Sequence, residues 1–352
     1  MLKEYSVNDA LVWDEIVRSF CRRDVYWLSG YTKAFELHGD GEPVLLLYEN
    51  EGIKGINVVM KRDIADDKHF KGILEKGKYY DLSTVYGYGG WIFEGEKMIG
   101  TYTEQFIREM DEWYSDNNIV SEFIRFHPVI DNESMVDEQI YEKIRLGNTV
   151  AIMLDDEESV WNRYSSKNRG HIRKAEKEGV SIITSDSVEA YEIFNSIYET
   201  TMNQDEAVDY YYFDSEFFDS IRNDLKEHAM VYIAYLKERP IAAAIMLYEN
   251  KYISYHLSGQ IMEFRKYAGT NMILNEAAKW GCANGFEWLH LGGGLGAKEG
   301  PLYDFKKSFY KKGEDKAFYI GKKIINRKIY DELVSMRNLT SDTAFFPKYR
   351  AE

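Results

Sequence analysis

Along the chain, apolar positions switch between helical and strand-like spacing, and they do so in the same order twice. In the first half Ser6 can cap a helix over 7–20, and Ser29 lies near the start of a second over 31–38. Two strand-like runs follow, 43–48 and 53–60, around the polar turn Glu49-Asn50-Glu51-Gly52. The charged stretch 61–78 reads as an exposed excursion, and a strand-like run over 79–88 ends in Gly89-Gly90. A helix over 102–115 leads through Asn117-Asn118 into a strand over 120–126, closed by His127-Pro128.

The second half repeats this order. Ser187 caps a helix running to about 202, and Asp214 a second running to 226. Strands over 230–236 and 241–248 flank Lys237-Glu238-Arg239-Pro240, and a third over 252–258 precedes a helix over 271–283. Asn284-Gly285 then turns into a strand over 286–291. Local echoes support the repeat. Tyr26-Trp27-Leu28-Ser29 stands where the second half has Tyr211-Tyr212-Phe213-Asp214, and EFIRFHP after Trp113 matches EWLHLGG after Trp280. Such self-similarity implies two copies of one domain side by side.

Between the copies, 155–179 opens on acidic residues and closes on a glycine, as one helix should. Its later turns carry Lys167, Arg169, His171, Arg173, Lys174 and Lys177, either an anion-binding face or a solvated face complementing the helix end. The tail is basic and then aromatic, and is expected to pack on the first copy. The expected boundaries are therefore 1–153, 154–321 and a tail over 322–352.

Composition narrows the function. A chain of 352 residues with 45% apolar content suits two ordinary domains, and no segment is long and apolar enough to span a bilayer. Its start does not read as a secretory signal, and two cysteines fit a reducing compartment, so a cytoplasmic protein is expected. A formal charge of −15 argues against wide, non-specific contact with DNA or anionic lipid, leaving room for peripheral membrane contact and a local basic cleft. No metal site is expected.

The stretch 289–310, LHLGGGLGAKEGPLYDFKKSFY, carries the candidate chemistry. Gly292, Gly293 and Gly294 follow a strand, where consecutive glycines let backbone N–H groups converge on a ligand; the other reading is a long surface turn. Absence of a Gly-x-Ser-x-Gly elbow disfavours a hydrolase.

Two helices, three antiparallel strands, a helix and another strand is the element order of a GNAT N-acyltransferase domain. Through YGYGG (86–90), NRGHIRKAEKEGV (168–180), HLSG (256–259), HLGGG (290–294) and DFKKSF (304–309), the chain resembles the Fem-type peptidoglycan aminoacyltransferases and their GNAT-fold acetyltransferase relatives. The resemblance covers nearly the whole chain. It implies an α+β fold of two tandem GNAT-like domains, each a mixed, mostly antiparallel sheet flanked by helices. It also implies one active cleft between them, dominated by the second copy. The implied reaction moves an acyl or aminoacyl group to an amine on a cell-envelope precursor or sugar, with acyl-CoA as candidate co-substrate or aminoacyl-tRNA as donor. The alternatives are acetyl-CoA-dependent acetylation of a small-molecule amine and a non-catalytic binding protein that kept the fold.

The sequence departs from the pattern in three places. Lys266-Tyr267-Ala268-Gly269-Thr270-Asn271 stands where GNAT enzymes carry Arg/Gln-x-x-Gly-x-Gly/Ala, so Asn271 would crowd a close phosphate. No heptad pattern marks the long helical hairpin of many Fem-type enzymes. Asn203 stands where relatives carry a basic residue.

Carried over residue by residue, the resemblance makes Lys306 the cation that meets an oxyanion or leaving group, with Phe305 packing on substrate and Asp304 orienting the lysine. Tyr255, His256 and Ser258 lie on the strand whose edge receives the donor, where strict alternation sets Tyr255 opposite His256 and Ser258. His256 is the candidate base. Tyr303, with Tyr310 in reserve, is the candidate general acid. Tyr86 and Tyr88, sharing one strand face, would line the acceptor groove, and Arg169 would contact substrate. Lys266, Gly269, Asn271 and the glycines 292–294 would bind donor. His127-Pro128 marks where the first copy lost its glycine loop, which leaves donor binding to the second.

Overall fold

The computed structural model describes residues 1–95, 103–337, 339 and 343–352. The first part of the chain forms β1 (Leu2–Ser6), α1 (Ala10–Arg18), α2 (Ser29–Leu37), β2 (Glu42–Asn50), β3 (Ile53–Asp63), β4 (Tyr80–Ser83), β5 (Ile92–Gly95), α3 (Thr103–Asp116) and β6 (Ile119–Arg125). Then come β7 (Glu142–Met153), α4 (Glu157–Arg163), α5 (Ser166–Lys177), β8 (Val180–Ser185), α6 (Val188–Gln204), α7 (Ser215–Leu225), β9 (Ala229–Leu236), β10 (Arg239–Glu249) and β11 (Tyr252–Gln260). The chain ends through α8 (Gly269–Ala283), β12 (Trp288–Gly292), α9 (Pro301–Lys307), β13 (Lys316–Ile324) and α10 (Arg327–Ser335). Among the described residues, no helix is long and apolar enough to cross a membrane.

Two compact units result, residues 1–146 with 318–352 and residues 147–317. In the first, the strands run β1-β2-β3-β4-β6-β13, with β5 also on β3; in the second, β8-β9-β10-β11-β12-β7. The orders correspond strand for strand. Each sheet is antiparallel except for one parallel pair at the same place, β4–β6 and β11–β12. The duplicated, mostly antiparallel architecture is therefore real. Its closing strands, β13 and β7, are drawn from outside the repeated stretch, and neither they nor β1, β5 and β8 are visible in the local sequence pattern.

Several local expectations are corrected. The first helix is preceded by β1 and splits into a 3-10 turn, Val7–Asp9, and α1; Ser6 Oγ accepts the Asn8 N–H at 3.2 Å. The stretch 61–78 is an excursion only in part: 61–63 continue β3 and Phe70 is fully buried with Tyr330, Leu333 and Tyr349 of the tail, while 71–78 is mostly exposed. The strand expected over 79–88 stops at Ser83, and YGYGG is irregular, with Gly87 at φ 99°. Pro240 lies in β10, opposite Tyr235, not in the turn. The segment 155–179 is two helices, broken at Tyr164-Ser165, where Ser165 Oγ caps the second by accepting the Asn168 N–H. Tyr102, placed at the start of the third helix, lies outside the described residues.

In the second unit Ala242, Ala244, Met246 and Tyr248 of β10 share a core with Ile273, Leu274, Ala277 and Ala278 of α8. Ala243, Ile245 and Leu247 are equally buried and are left by alternation to α6, which packs on the same strand. At the end of β11 the approach of α6 requires a glycine: a Cβ on Gly259 would meet the Ile197 carbonyl oxygen and Thr201 Oγ1, each at 2.8 Å. Thr201 Oγ1 also accepts the Gln260 N–H at 3.0 Å. Gly259→Ala is expected to destabilise by about 1–3 kcal/mol through overpacking, read as a lower urea midpoint at unchanged slope.

Candidate active site

β11 and β12 pair in parallel register for three residues, ending at Ser254 opposite His290. On its other side β11 carries a bulge. Ile245 pairs with Leu257 and Met246 with Tyr255, so His256 is the extra residue. A bulge re-aims side chains beyond it. Tyr255 Oη donates to Ser258 Oγ at 2.5 Å, so the opposite faces expected from strict alternation are corrected: the bulge resets the parity and brings the two together.

β12 ends in the glycine turn, with Gly292 at φ 78°. A Cβ at Gly294 would lie 2.1 Å from the Lys298 carbonyl oxygen, so this glycine is required by the loop's own backbone. The loop returns as α9, which starts with proline in its first turn, a position that needs no N–H. From α9, Lys306 Nζ donates to the Gly293 carbonyl oxygen at 2.8 Å and stands 6.0 Å from the centre of the Tyr255 ring. Lys306 thus joins the turn after β12 to the unpaired end of β11. Burial lowers its pKa to about 8 and raises that of Tyr255 to about 12. At neutral pH the pair is an ammonium beside a neutral phenol.

Other candidates take different places. Burial pushes His256 down to about 3, so the ring is neutral but holds an abstracted proton poorly. Tyr303 Oη donates to Asp315 Oδ2 at 2.5 Å; burial, and then that carboxylate, raise it far above the usual phenol range, which argues against a general acid. Lys307 also reaches Asp315, Nζ to Oδ1 at 2.5 Å, so these residues fasten α9 to the following turn. Asp304 is exposed. Phe305 meets Phe309 edge-on at 5.5 Å and packs on the protein's own core. Arg169 is turned onto the end of α4, where its guanidinium donates to the Tyr164 carbonyl oxygen at 2.5 Å.

The candidate donor loop is mixed. Lys266 is exposed, its Nζ 5.2 Å from the centre of the Tyr267 ring. Gly269 begins α8, and a Cβ there would meet those of Ala242 and Ala234 at 3.0 and 3.2 Å, so its smallness serves the sheet contact. Asn271 donates from Nδ2 to Asn168 Oδ1 at 2.8 Å, a buried link from α8 to α5. Asn203 Oδ1 accepts from Tyr212 Oη at 3.0 Å. In the first unit Tyr86 stacks on Phe35, while Tyr88 meets Tyr26, His127 and Phe318 edge-on. With no strand there, the shared strand face expected of these tyrosines is corrected. Sequence reasoning missed the Gly293 carbonyl, the bulge at His256, Asn168 and Asp315. None lies in a pattern that its neighbours make readable.

Residues 162–307 match the family model for the acetyltransferase (GNAT) domain. The matched segment lies within the second unit. Among solved structures the chain is similar to FemX, at 12% identity and TM-score 0.70, over 94% of this chain and 99% of that one. It is also similar to a conserved protein of unknown function from Bacteroides thetaiotaomicron VPI-5482, at 11% identity and TM-score 0.57, over 92% of this chain and 99% of that one. At such identities the likeness is one of fold alone. No curated protein sequence matches the chain.

Proposed function

We propose that the GNAT domain transfers an acyl group to a primary amine at the opened edge between β11 and β12, with Lys306 meeting the negative charge that forms. The supporting observation is the convergence of Lys306, the Gly293 carbonyl and the Tyr255–Ser258 pair where the two strands stop pairing. The amine nitrogen attacks the acyl carbonyl carbon and a C–N bond forms. The C–S or C–O bond to the donor then breaks, the leaving sulfur or oxygen takes up a proton, and the nitrogen loses one to solvent. A partly desolvated ammonium stabilises the oxyanion of that step far more than it would in water. Tyr255, a neutral phenol whose O–H is donated to Ser258 Oγ, fixes that hydroxyl at the same edge.

As donor we infer acyl-CoA. The matched family segment supports this, as does Asn271, whose side chain is held by Asn168 instead of crowding a phosphate at the start of α8. The Fem-like fold favours a second reading, aminoacyl-tRNA, with an amine on a cell-envelope precursor or sugar as acceptor. A thermal-shift panel of acetyl-CoA, longer acyl-CoAs, UDP-linked muropeptide and charged tRNA separates these. A ligand at a hundredfold its Kd stabilises by about 2.7 kcal/mol. Acyl-CoA is expected to stabilise the wild type and to do so less in Lys266→Glu. Stabilisation by charged tRNA alone would move the donor to the second reading. A response to no donor would leave a binding protein that kept the fold.

A further inference from the structure

A cleft of about 500 Å³ lies between α4, α5 and α8, lined by none of the residues around Lys306. Its size is that of a small-molecule site. Its floor is apolar, with Val160 and Tyr164 each 3% exposed and Ala278 1% exposed. The Tyr164 hydroxyl is buried there without a hydrogen-bond partner among the described residues, an unmet polar group that folding normally avoids. Trp161 forms one wall, and the Arg173 guanidinium lies over its ring at 5.3 Å. The ring face therefore already accommodates a cation, supplied by an exposed side chain that a ligand can displace. At the mouth stand three exposed carboxylates, Glu157, Glu158 and Glu176.

We propose that this cleft is a second binding site, for an organic cation with an apolar body: an alkyl- or arylammonium compound. The ammonium would lie between the Trp161 ring and the carboxylates, and the body on the Val160–Tyr164 floor. Charge decides the sign of the ligand. The lining carries three carboxylates against two cations, Arg173 and Lys279, and one of those two is already laid on the tryptophan. The chain's formal charge of −15 adds a field in the same direction. An anion of the same shape would enter against both. This site is independent of the transfer reaction proposed above.

Calorimetric titration of the full chain with tyramine, and with 3-(4-hydroxyphenyl)propionate as the same body with the charge reversed, tests this. Tyramine is expected to bind at least tenfold more tightly than the propionate. Trp161→Ala should weaken it at least tenfold and Glu176→Gln several-fold, while Lys306→Ala leaves it unchanged, which separates this cleft from an acceptor site near Lys306. Should Trp161→Ala fail to fold, Glu158→Gln with Glu176→Gln carries the same test. Equal or tighter propionate binding would overturn the proposal. So would tyramine binding unaffected by the cleft variants, or no heat up to about 10 mM, the range of very weak binding.

Discussion

Lys306→Ala is expected to lower turnover about a hundredfold or more, since a single preorganised donor to an oxyanion contributes roughly 3–4 kcal/mol to the transition state. Stability should hold or rise. Burial sets the folded pKa of Lys306, about 8, below its ordinary 10.5, so charging this lysine costs folding energy. That cost is present in full below pH 8 and vanishes above the ordinary value. The same shift predicts a pH profile. If the ammonium is the working form, the wild-type rate falls as pH rises through about 8. Lys306→Arg, which cannot lose its charge in this range, should keep part of the activity without that fall. The control is Lys307→Ala. Its ammonium is spent on Asp315 and the Gly313 carbonyl, so its loss should lower melting temperature more than turnover. Steady-state kinetics with the donor and acceptor found in the panel read both. Small, equal losses of turnover in the two variants would take Lys306 out of the transfer step. A large loss of melting temperature in Lys306→Ala would make it structural.

Asp81→Ala is expected to lower the melting temperature by roughly 6–20 °C, because breaking a buried ion network costs about 3–5 kcal/mol in a unit of this size. The Asp81 side chain is fully buried on β4. It accepts from Arg62 Nε at 2.7 Å, Arg350 Nε at 2.6 Å and Tyr349 Oη at 3.0 Å. Removing it takes the carboxylate away from Arg62, from Arg350, which keeps Asp67 at 2.9 Å, and from the Tyr349 phenol, which keeps Ser121 at 2.8 Å. Because Arg350 and Tyr349 belong to the tail, the variant should also loosen 345–352, read as faster amide exchange there. The pH dependence has a definite sign. Burial alone would raise the Asp81 pKa, but Arg350 and then Arg62 outweigh it and hold the carboxyl below its usual 3.8. Its stabilisation is complete above that value and disappears as pH falls through the lower folded pKa. Thermal unfolding from pH 7 to pH 3 should therefore show an acid-induced loss in the wild type that is smaller in the variant. Equal curves would place the network outside the stability of the unit.

The sequence by itself determined the repeat. Ser187 and Asp214 cap α6 and α7, and the turns at Asn117-Asn118 and Asn284-Gly285 end α3 and α8, because caps and turns are decided within a few residues. The candidacy of Lys306 came from the resemblance carried by DFKKSF (304–309), and its place against Gly293 only from the fold. Only tertiary structure decided the rest. β7 and β13 have no sharp period of their own; they are strands because distant sheets offer them an edge. One residue of slip against β10 made His256 a bulge and put Tyr255 beside Ser258, a choice of long-range register. The same holds for Lys306 and Lys307. Adjacent and alike in sequence, one is half-buried against Gly293 and Tyr255 and the other is paired with Asp315, because a helix turns successive residues about 100° apart and the surroundings, not the residue type, set the cost of each charge.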